Sequence, residues 1–269
     1  STVSVTVNAV NDIPVANIDN STTSEDMSVN IDILANDSDI DGDTLTITAA
    51  SATSGSVTID SDSSLSYTPN VNFSGTDLIN YTISDGQGGS ASSSVSVTVN
   101  AVNDIPVASV DNSTTSEDMS VNIDVLANDI DIDGDTLTIT AATATSGGVT
   151  IDSDSSLTYT PNVNFSGTDL INYTISDGQG GSASSSVSVT ISAVNDIPVA
   201  GVDSSNTDED TLVNIDVLAN DSDIDGDTLT ITAATAISGS VTISSGASLS
   251  YTPNVDFNGA DMINYTISD

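Results

Sequence analysis

An all-β fold of tandem β-sandwiches is what this sequence predicts, and three observations carry it. A unit of 92 residues recurs, with the string Asn-Asp-Ile-Pro-Val-Ala beginning at Asn11, Asn103 and Asn195. Valine, isoleucine and leucine alternate with serine and threonine in short segments, the two-residue period of half-buried strands. The acids are aspartates apart from Glu25, Glu117 and Glu209, and aspartate favours turns over helix interiors.

The copies define the expected organisation. Residues 11–102 and 103–194 differ at nine positions, including Ile18 against Val110, Ile33 against Val125 and Val99 against Ile191. The third copy, 195–269, has drifted mainly around 244–247 and 256–262, and its Asp269 corresponds to Asp85 and Asp177. Residues 1–10 match 93–102. The expected layout is therefore a closing strand of a preceding repeat over 1–10, followed by repeats at 11–102, 103–194 and 195–269. The third stops before its last strand, as in a window cut from a longer array.

Seven strands are expected in each copy. In the first, strand A lies near 15–18. Strand B covers 29–34, where Val29, Ile31 and Ile33 alternate with Asn30 and Asp32. Strand C covers 44–49, with Leu45 and Ile47 between threonines. D and E cover 56–59 and 65–68, and F covers 78–84. Strand G covers 91–99, with Val95, Val97 and Val99 between serines and threonines. Seven short antiparallel strands in one such unit is the immunoglobulin-like sandwich pattern, in this chain without its Cys and Trp.

Composition removes many functions. The chain has 39 Asp and Glu, no Lys, Arg, His, Cys or Trp, and a formal charge of −39. Zinc, haem and iron–sulfur sites, thiol or imidazole catalysis and disulfides all lack their residues. So do Schiff bases, P-loops and isopeptide cross-links, which need lysine. A nucleic-acid partner is disfavoured because nothing neutralises phosphate. Hydrophobic residues at 37% argue for a folded chain despite its acidity. No apolar stretch is long enough to cross a bilayer and no signal-peptide pattern is present, so no membrane insertion is expected in this window.

The acids concentrate where sandwiches would meet. The leading linker, the B–C loop and the F–G loop share one pole, and the A–B loop lies at the other. In the first copy the leading pole holds Asn11, Asp12, Asp37, Asp39, Asp41, Asp43 and Asp85. The first join gathers Glu25, Asp26, Asn103, Asp104, Asp129, Asp131, Asp133, Asp135 and Asp177. The second gathers Glu117, Asp118, Asn195, Asp196, Asp221, Asp223, Asp225, Asp227 and Asp269. Two carboxylates ~4 Å apart repel by roughly 4 kcal/mol at an effective dielectric constant near 20. With no basic side chain present, a hard dication is the natural counter-charge. Calcium, which takes oxygens from flexible loops, fits better than the stricter magnesium.

Simpler readings apply elsewhere. Asp19, Asp32 and Asp60 are ordinary turn and surface acids. The loop from Asp37 spells D-x-D-x-D-G, but Thr48 stands where an EF-hand has its glutamate, and strands rather than helices flank it. The Asp85-Gly86-Gln87-Gly88-Gly89 turn occurs once per copy, so it is not a β-roll array.

The unit running from NDIPVA through SEDMSVNIDVLAND and DIDGDTLTIT to YTPNVNFSGTDLINYTISDGQGG resembles the cadherin-like tandem repeats of very large bacterial surface and secreted adhesins. The resemblance covers the whole chain. It implies immunoglobulin/cadherin-like sandwiches in a linear array, with calcium between neighbours. It assigns an early glutamate to Glu25 and Glu117, and the linker pair to Asn103-Asp104 and Asn195-Asp196 ahead of Pro106 and Pro198. The paired aspartates are Asp131 with Asp133 and Asp223 with Asp225, and the late aspartates are Asp177 and Asp269. Ala101 and Ile105 depart from the cadherin linker, and the Asp-Arg-Glu motif before strand F is absent, although Asp77 or Asp169 lies nearby. One or two ions per junction are expected rather than three.

The expected function is mechanical. Calcium-stiffened extender repeats of an extracellular, cell-surface bacterial adhesin or biofilm protein would each add ~35–45 Å to a spacer. The alternative makes the repeats adhesive through lateral copies, glycans or ice, using outward rows such as Thr44-Thr46-Thr48 and Ser92-Ser94-Ser96-Thr98. Aromatics at 3% disfavour sugar binding, and Tyr67, Phe73 and Tyr81 are expected in the core or at a tyrosine corner. Enzymatic activity is not expected, because the acids recur in every copy without an aromatic-lined cleft.

Overall fold

The computed structural model describes residues 1–245 and 247–269; Gly246, in the drifted stretch 244–247, lies outside the described residues. The first copy forms β1 (Asp19–Ser24), β2 (Val29–Ile31), a 3-10 turn at Leu34–Asn36, β3 (Thr46–Ser51), β4 (Gly55–Ile59), β5 (Leu65–Pro69), β6 (Gly75–Ser84) and β7 (Ser90–Asn100). One sheet runs β1-β7-β6-β3 and the other β2-β5-β4. The second copy repeats this with β8 (Asp111–Ser116), β9 (Val121–Ile123), β10 (Thr138–Thr143), β11 (Gly147–Ile151), β12 (Leu157–Pro161), β13 (Gly167–Ser176) and β14 (Ser182–Ser192). The third forms β15 (Val213–Ile215), β16 (Thr230–Ala236), β17 (Gly239–Ser244), β18 (Ser248–Pro253) and β19 (Ile263–Ser268).

Alternation builds the core. Ile79, Tyr81 and Ile83 of β6 and Val95, Val97 and Val99 of β7 point inward, against Ile31, Leu65 and Tyr67 of the other sheet. Tyr67 dictates its neighbours: its hydroxyl donates to Oδ2 of Asp77 at 2.8 Å. A Cβ on Gly55 would lie 2.5 Å from both the Tyr67 ring and the Thr68 carbonyl, so only glycine fits beneath that ring. Asp77, 2% exposed, also accepts the backbone N–H groups of Thr53, Ser54 and Leu78. This buried carboxylate is thus hydrogen-bonded on both oxygens, as burial requires.

Three strand expectations change. Strand A reduces to a bridge between Val15 and Ser38; the continuous strand is β1, in the stretch expected as the A–B loop. It pairs parallel with β7, from Asp19 opposite Val95 to Ser24 opposite Asn100. Its sequence, DNSTTS, has no apolar alternation because the backbone ladder, not side-chain burial, holds it. Strand B ends at Ile31, since the 3-10 turn follows and the Asp37 N–H closes on the Leu34 carbonyl. The Tyr81 hydroxyl makes no local corner; it donates to the Asn17 carbonyl at 2.6 Å, pinning the leading segment to β6.

Residues 1–10, expected as a closing strand, form none. A closing strand is a strand only between its two ladder partners, and these residues pair with neither. In the third copy, residues 203–208 and 259–262 form no strand. Both segments correspond to the ladder neighbours of β7 in the first copy.

The chain divides into two compact units. One comprises Ser1–Val107, Ile130–Leu137 and Ser176–Ala183; the other comprises Ala108–Asp129, Thr138–Ile175 and Ser184–Asp269. Each brings together acids that lie far apart in sequence.

Candidate metal centre

In the first unit, Glu25, Asp104 and Asp133 bring one carboxylate oxygen each within 4.8 Å of one another, and Asp131, Asp133 and Asp135 do the same. Asp133 belongs to both sets. The geometry follows from local chain rules. β1 ends at Ser24, and the Glu25 N–H continues the ladder to the Asn100 carbonyl at 2.9 Å. Asp26 then turns the chain with φ +58°. Glu25, a buried carboxylate, accepts the Val102 N–H through Oε1, which places it over the linker entering the second copy. The Asp104 N–H donates to Oδ2 of Asp133 at 2.7 Å. Asp131 Oδ1 accepts the N–H groups of Asp133 and Asp135, and Gly134, at φ +80°, makes the loop tight enough for that.

The second unit repeats the arrangement with Glu117, Asp196 and Asp225, and with Asp223, Asp225 and Asp227. Asp196 N–H donates to Asp225 Oδ2 at 2.7 Å, and Glu117 Oε1 accepts the Val194 N–H. At the leading pole Asp39, Asp41 and Asp43 form the loop cluster, with the Asp12 N–H on Asp41 Oδ2 at 2.8 Å.

Other residues named from sequence brace the loops. Asp177 accepts the Asn103 amide at 2.8 Å and the N–H groups of Gln179, Gly180 and Gly181. Asp85 is held likewise by Asn11, Gln87 and Gly89, and the Asn195 amide reaches Asp269 at 2.7 Å. Asp26 and Asp118 accept the N–H groups of Asn72 and Asn164. Asp37, Asp129 and Asp221 accept those of Asn17, Ser109 and Gly201, and each also faces a tyrosine hydroxyl. Sequence reading did not single out the Val102 and Val194 amides, whose contact fixes the glutamates. It placed Asp77 and Asp169 only near a cadherin motif, whereas they are core pegs on tyrosines. Their signal was an aspartate recurring within a strand in every copy.

Electrostatics separates the two classes. The side-chain amides of Asn103 and Asn11 and the loop N–H groups hold Asp177 and Asp85 below the usual carboxylate range, against the opposing effect of burial. Burial, then Asp225, Glu117, Asp118 and Asp223, pushes Asp196 up. Burial, then Asp131, Asp133 and Asp177, does the same to Asp135. Braced acids meet hydrogen-bond donors, and clustered acids face one another.

The fit to a metal rests on orphaned atoms. Oδ2 of Asp39, Asp104, Asp131, Asp196, Asp221 and Asp223 is buried without a hydrogen-bond partner, and five of these six residues belong to the clusters. A buried carboxylate oxygen with no donor is costly. Oxygens on opposite sides of one calcium sit roughly 4.6–5.2 Å apart at its usual bond lengths, and the cluster oxygens, all within 4.8 Å of one another, are close enough to share one ion. Glu25, Asp104, Asp131, Asp133 and Asp135 would hold an ion in the first unit, and Glu117, Asp196, Asp223, Asp225 and Asp227 in the second. All the donors are hard oxygens.

A family model described as "Bacterial Ig domain" matches residues 11–98, 103–190 and 195–269. No curated protein matches the sequence. Among solved structures, human CDH23 EC21-23 superposes with a TM-score of 0.54 at 14% identity, covering 95% of this chain and 99% of that one. PcdhgB3 EC1-4 gives 0.52 at 13% identity, covering 95% and 75%. An endo-fucoidan hydrolase of glycoside hydrolase family 107 gives only 0.28 at 17% identity, and this chain spans 44% of its length. At these identities the cadherin likenesses show the fold alone.

Proposed function

Because the chain belongs to the bacterial Ig domain family, we propose that its repeats are calcium-stiffened extender modules of a large extracellular, cell-surface or biofilm adhesin of bacteria. The modules are 11–102, 103–194 and 195–269, and residues 1–10 are a closing strand of a sandwich other than the first. The role is structural rather than catalytic.

One observation carries this reading: Glu25, Asp104 and Asp133 converge around a buried, donor-less oxygen of Asp104 in a chain with no cationic side chain. Calcium turns that repulsion into a clamp. Glu25 is anchored on the first copy, Asp133 belongs to the second, and Asp104 lies on the linker between them. An ion shared by the three restricts how the linker moves, which is what a spacer requires. The recurrence of the cluster at Glu117, Asp196 and Asp225 supports one such clamp per join.

Calcium titration followed by calorimetry, thermal melts and small-angle scattering tests the proposal. Calcium at about a hundredfold over its Kd is expected to add ~2.7 kcal/mol of stability per site, and chelation to broaden the scattering ensemble. Melts and scattering that are identical with and without chelator would overturn it.

A further inference from the structure

On a chain with 39 acids, one broad face of the first sandwich carries none. The sheet β1-β7-β6-β3 turns serine, threonine and asparagine outward. The two acids within its strands face the other way: Asp77 accepts the Tyr67 hydroxyl, and Asp19 the Tyr81 hydroxyl. In the second copy Asp169 and Asp111 are turned in likewise, onto Tyr159 and Tyr173. A shallow groove of about 450 Å³ runs along the face of the first copy, lined by Ala49, Ser51, Asn80, Thr82, Ser92 and Ser94.

Asn80 stands in this groove between Ser51 of β3 and Ser94 of β7, its partners across the two ladders. Asn80 and Asn172 are exposed, and among the described residues their side-chain amides take no hydrogen-bond partner. Tyr81 is buried, and the two-residue period of β6 returns Thr82 to the outer face beside Asn80, where its hydroxyl meets that of Ser92 at 2.9 Å. Asn80-Tyr81-Thr82 is an N-x-Thr tripeptide, the acceptor form for N-linked sugar. Other tripeptides of this form occur in the chain, but this one alone recurs in all three copies, at Asn80, Asn172 and Asn264. The third copy has Ser204 against Asn20 and Asp256 against Asn72, and the second has Ile130 against Ser38. The core explains why the tyrosine is kept; no contact of the fold explains the asparagine.

We propose that Asn80, with its counterparts Asn172 and Asn264, is an N-glycosylation site that receives sugar from a diphosphate-activated donor onto the acid-free face. The Asn80 Nδ2 bonds to the anomeric carbon as the bond from that carbon to the diphosphate oxygen breaks. The diphosphate leaves with the electron pair, and Nδ2 gives one proton to the transferring enzyme. Charge selects this site. The donor is anionic, and carboxylates repel it at close range. Asn36 is followed by Asp37 and has its amide on the Ile18 carbonyl at 3.2 Å, and Asn72 holds the Asp26 carboxylate on its own backbone N–H. At Asn80 the flanking residues are small serines, which leave room for the first sugar and offer hydroxyls to it.

Mass spectrometry of the chain isolated from the cells that produce it tests the proposal, before and after an amidase that releases N-linked sugar and leaves aspartate in place of the asparagine. Sugar is expected on Asn80, Asn172 and Asn264, each converted to aspartate on release. The peptides around the first two are identical in sequence, so Asn80→Gln and Asn172→Gln, made in the same cells, separate them. Each is expected to lose one sugar chain and to keep its β-sheet circular dichroism, since neither amide serves the fold. Thr82→Val is expected to abolish the sugar at Asn80 although Asn80 itself remains. A chain with no sugar on any of the three asparagines overturns the proposal. So does sugar confined to Asn20, Asn36 and Asn72 or to hydroxyl side chains, or sugar at Asn80 that survives Thr82→Val.

Discussion

Asp104 and Asp133 meet across the first linker: the backbone N–H of Asp104 donates to Oδ2 of Asp133 at 2.7 Å, while Oδ2 of Asp104 itself is buried without a partner. Asp196 and Asp225 repeat the contact at 2.7 Å, again with Asp196 Oδ2 unpartnered. Each linker aspartate is thus positioned through its backbone and leaves its carboxylate free for a cation.

Asp133→Asn is expected to have opposite effects with and without calcium. Asp133 sits in both clusters of the first unit, so its loss should weaken calcium binding there by at least about tenfold. Without calcium the same change removes repulsion and should leave the chain as stable or more so. Calorimetric titration and paired thermal melts measure both. Asp60→Asn, at a hydrogen-bonded hairpin acid outside the clusters, should leave calcium affinity unchanged.

Tyr67→Phe is expected to cost about 1–3 kcal/mol in the first repeat, because it removes a buried hydrogen bond to a carboxylate. Tyr159→Phe should cost a similar amount in the second, where the hydroxyl meets Asp169 at the same 2.8 Å. Urea unfolding reads both, and no change in either would contradict the peg role of these aspartates.

Gly55→Ala forces a Cβ to 2.5 Å from the Tyr67 ring and the Thr68 carbonyl, an overpacking expected to cost about 1–3 kcal/mol. Gly148 has nothing within 4 Å of its would-be Cβ, and the first copy carries Ser56 at that position. Gly148→Ala should therefore stay within about 0.5 kcal/mol of the parent. Equal midpoint shifts for the two variants would count against the close packing at Gly55.

Alkaline pH should unfold the sandwiches through their tyrosines. Burial, followed by the hydrogen bond and charge of Asp77 or Asp169, raises the Tyr67 and Tyr159 phenols well above their ordinary value. A group raised in the folded state contributes stability that is full below its unfolded value, about 10. That contribution is lost as pH rises through the folded value. Tyrosinate absorbance should therefore appear later in native buffer than in denaturant, and its appearance should coincide with loss of β structure.

The strands with apolar alternation were legible: β5, β6 and β7 lie within two or three residues of the segments expected from Leu65, Leu78 and Ala91. β1 was not legible, since DNSTTS buries little and owes its strand to a parallel ladder with residues 76 positions later. Site residues divide in the same way. Glu25, Asp104, Asp131, Asp133 and Asp135 were among the acids expected at the first join, and the structure brings them together. Asp177 and Asp26 were expected beside them, yet each is engaged by loop N–H groups. Spacing places an acid at a pole but does not say whether its lone pairs meet a backbone donor or another carboxylate.

Sequence alone determined the repeat, the all-β class and the need for an external counter-charge, because period, alternation and the absence of cations are properties of order and composition. Tertiary structure decided which oxygens remain without donors, which aspartates serve the core, and that the apolar-poor stretch DNSTTS becomes a strand. Those outcomes depend on contacts between residues far apart in the chain, where hydrogen-bond satisfaction and burial are settled only after the sheets have paired.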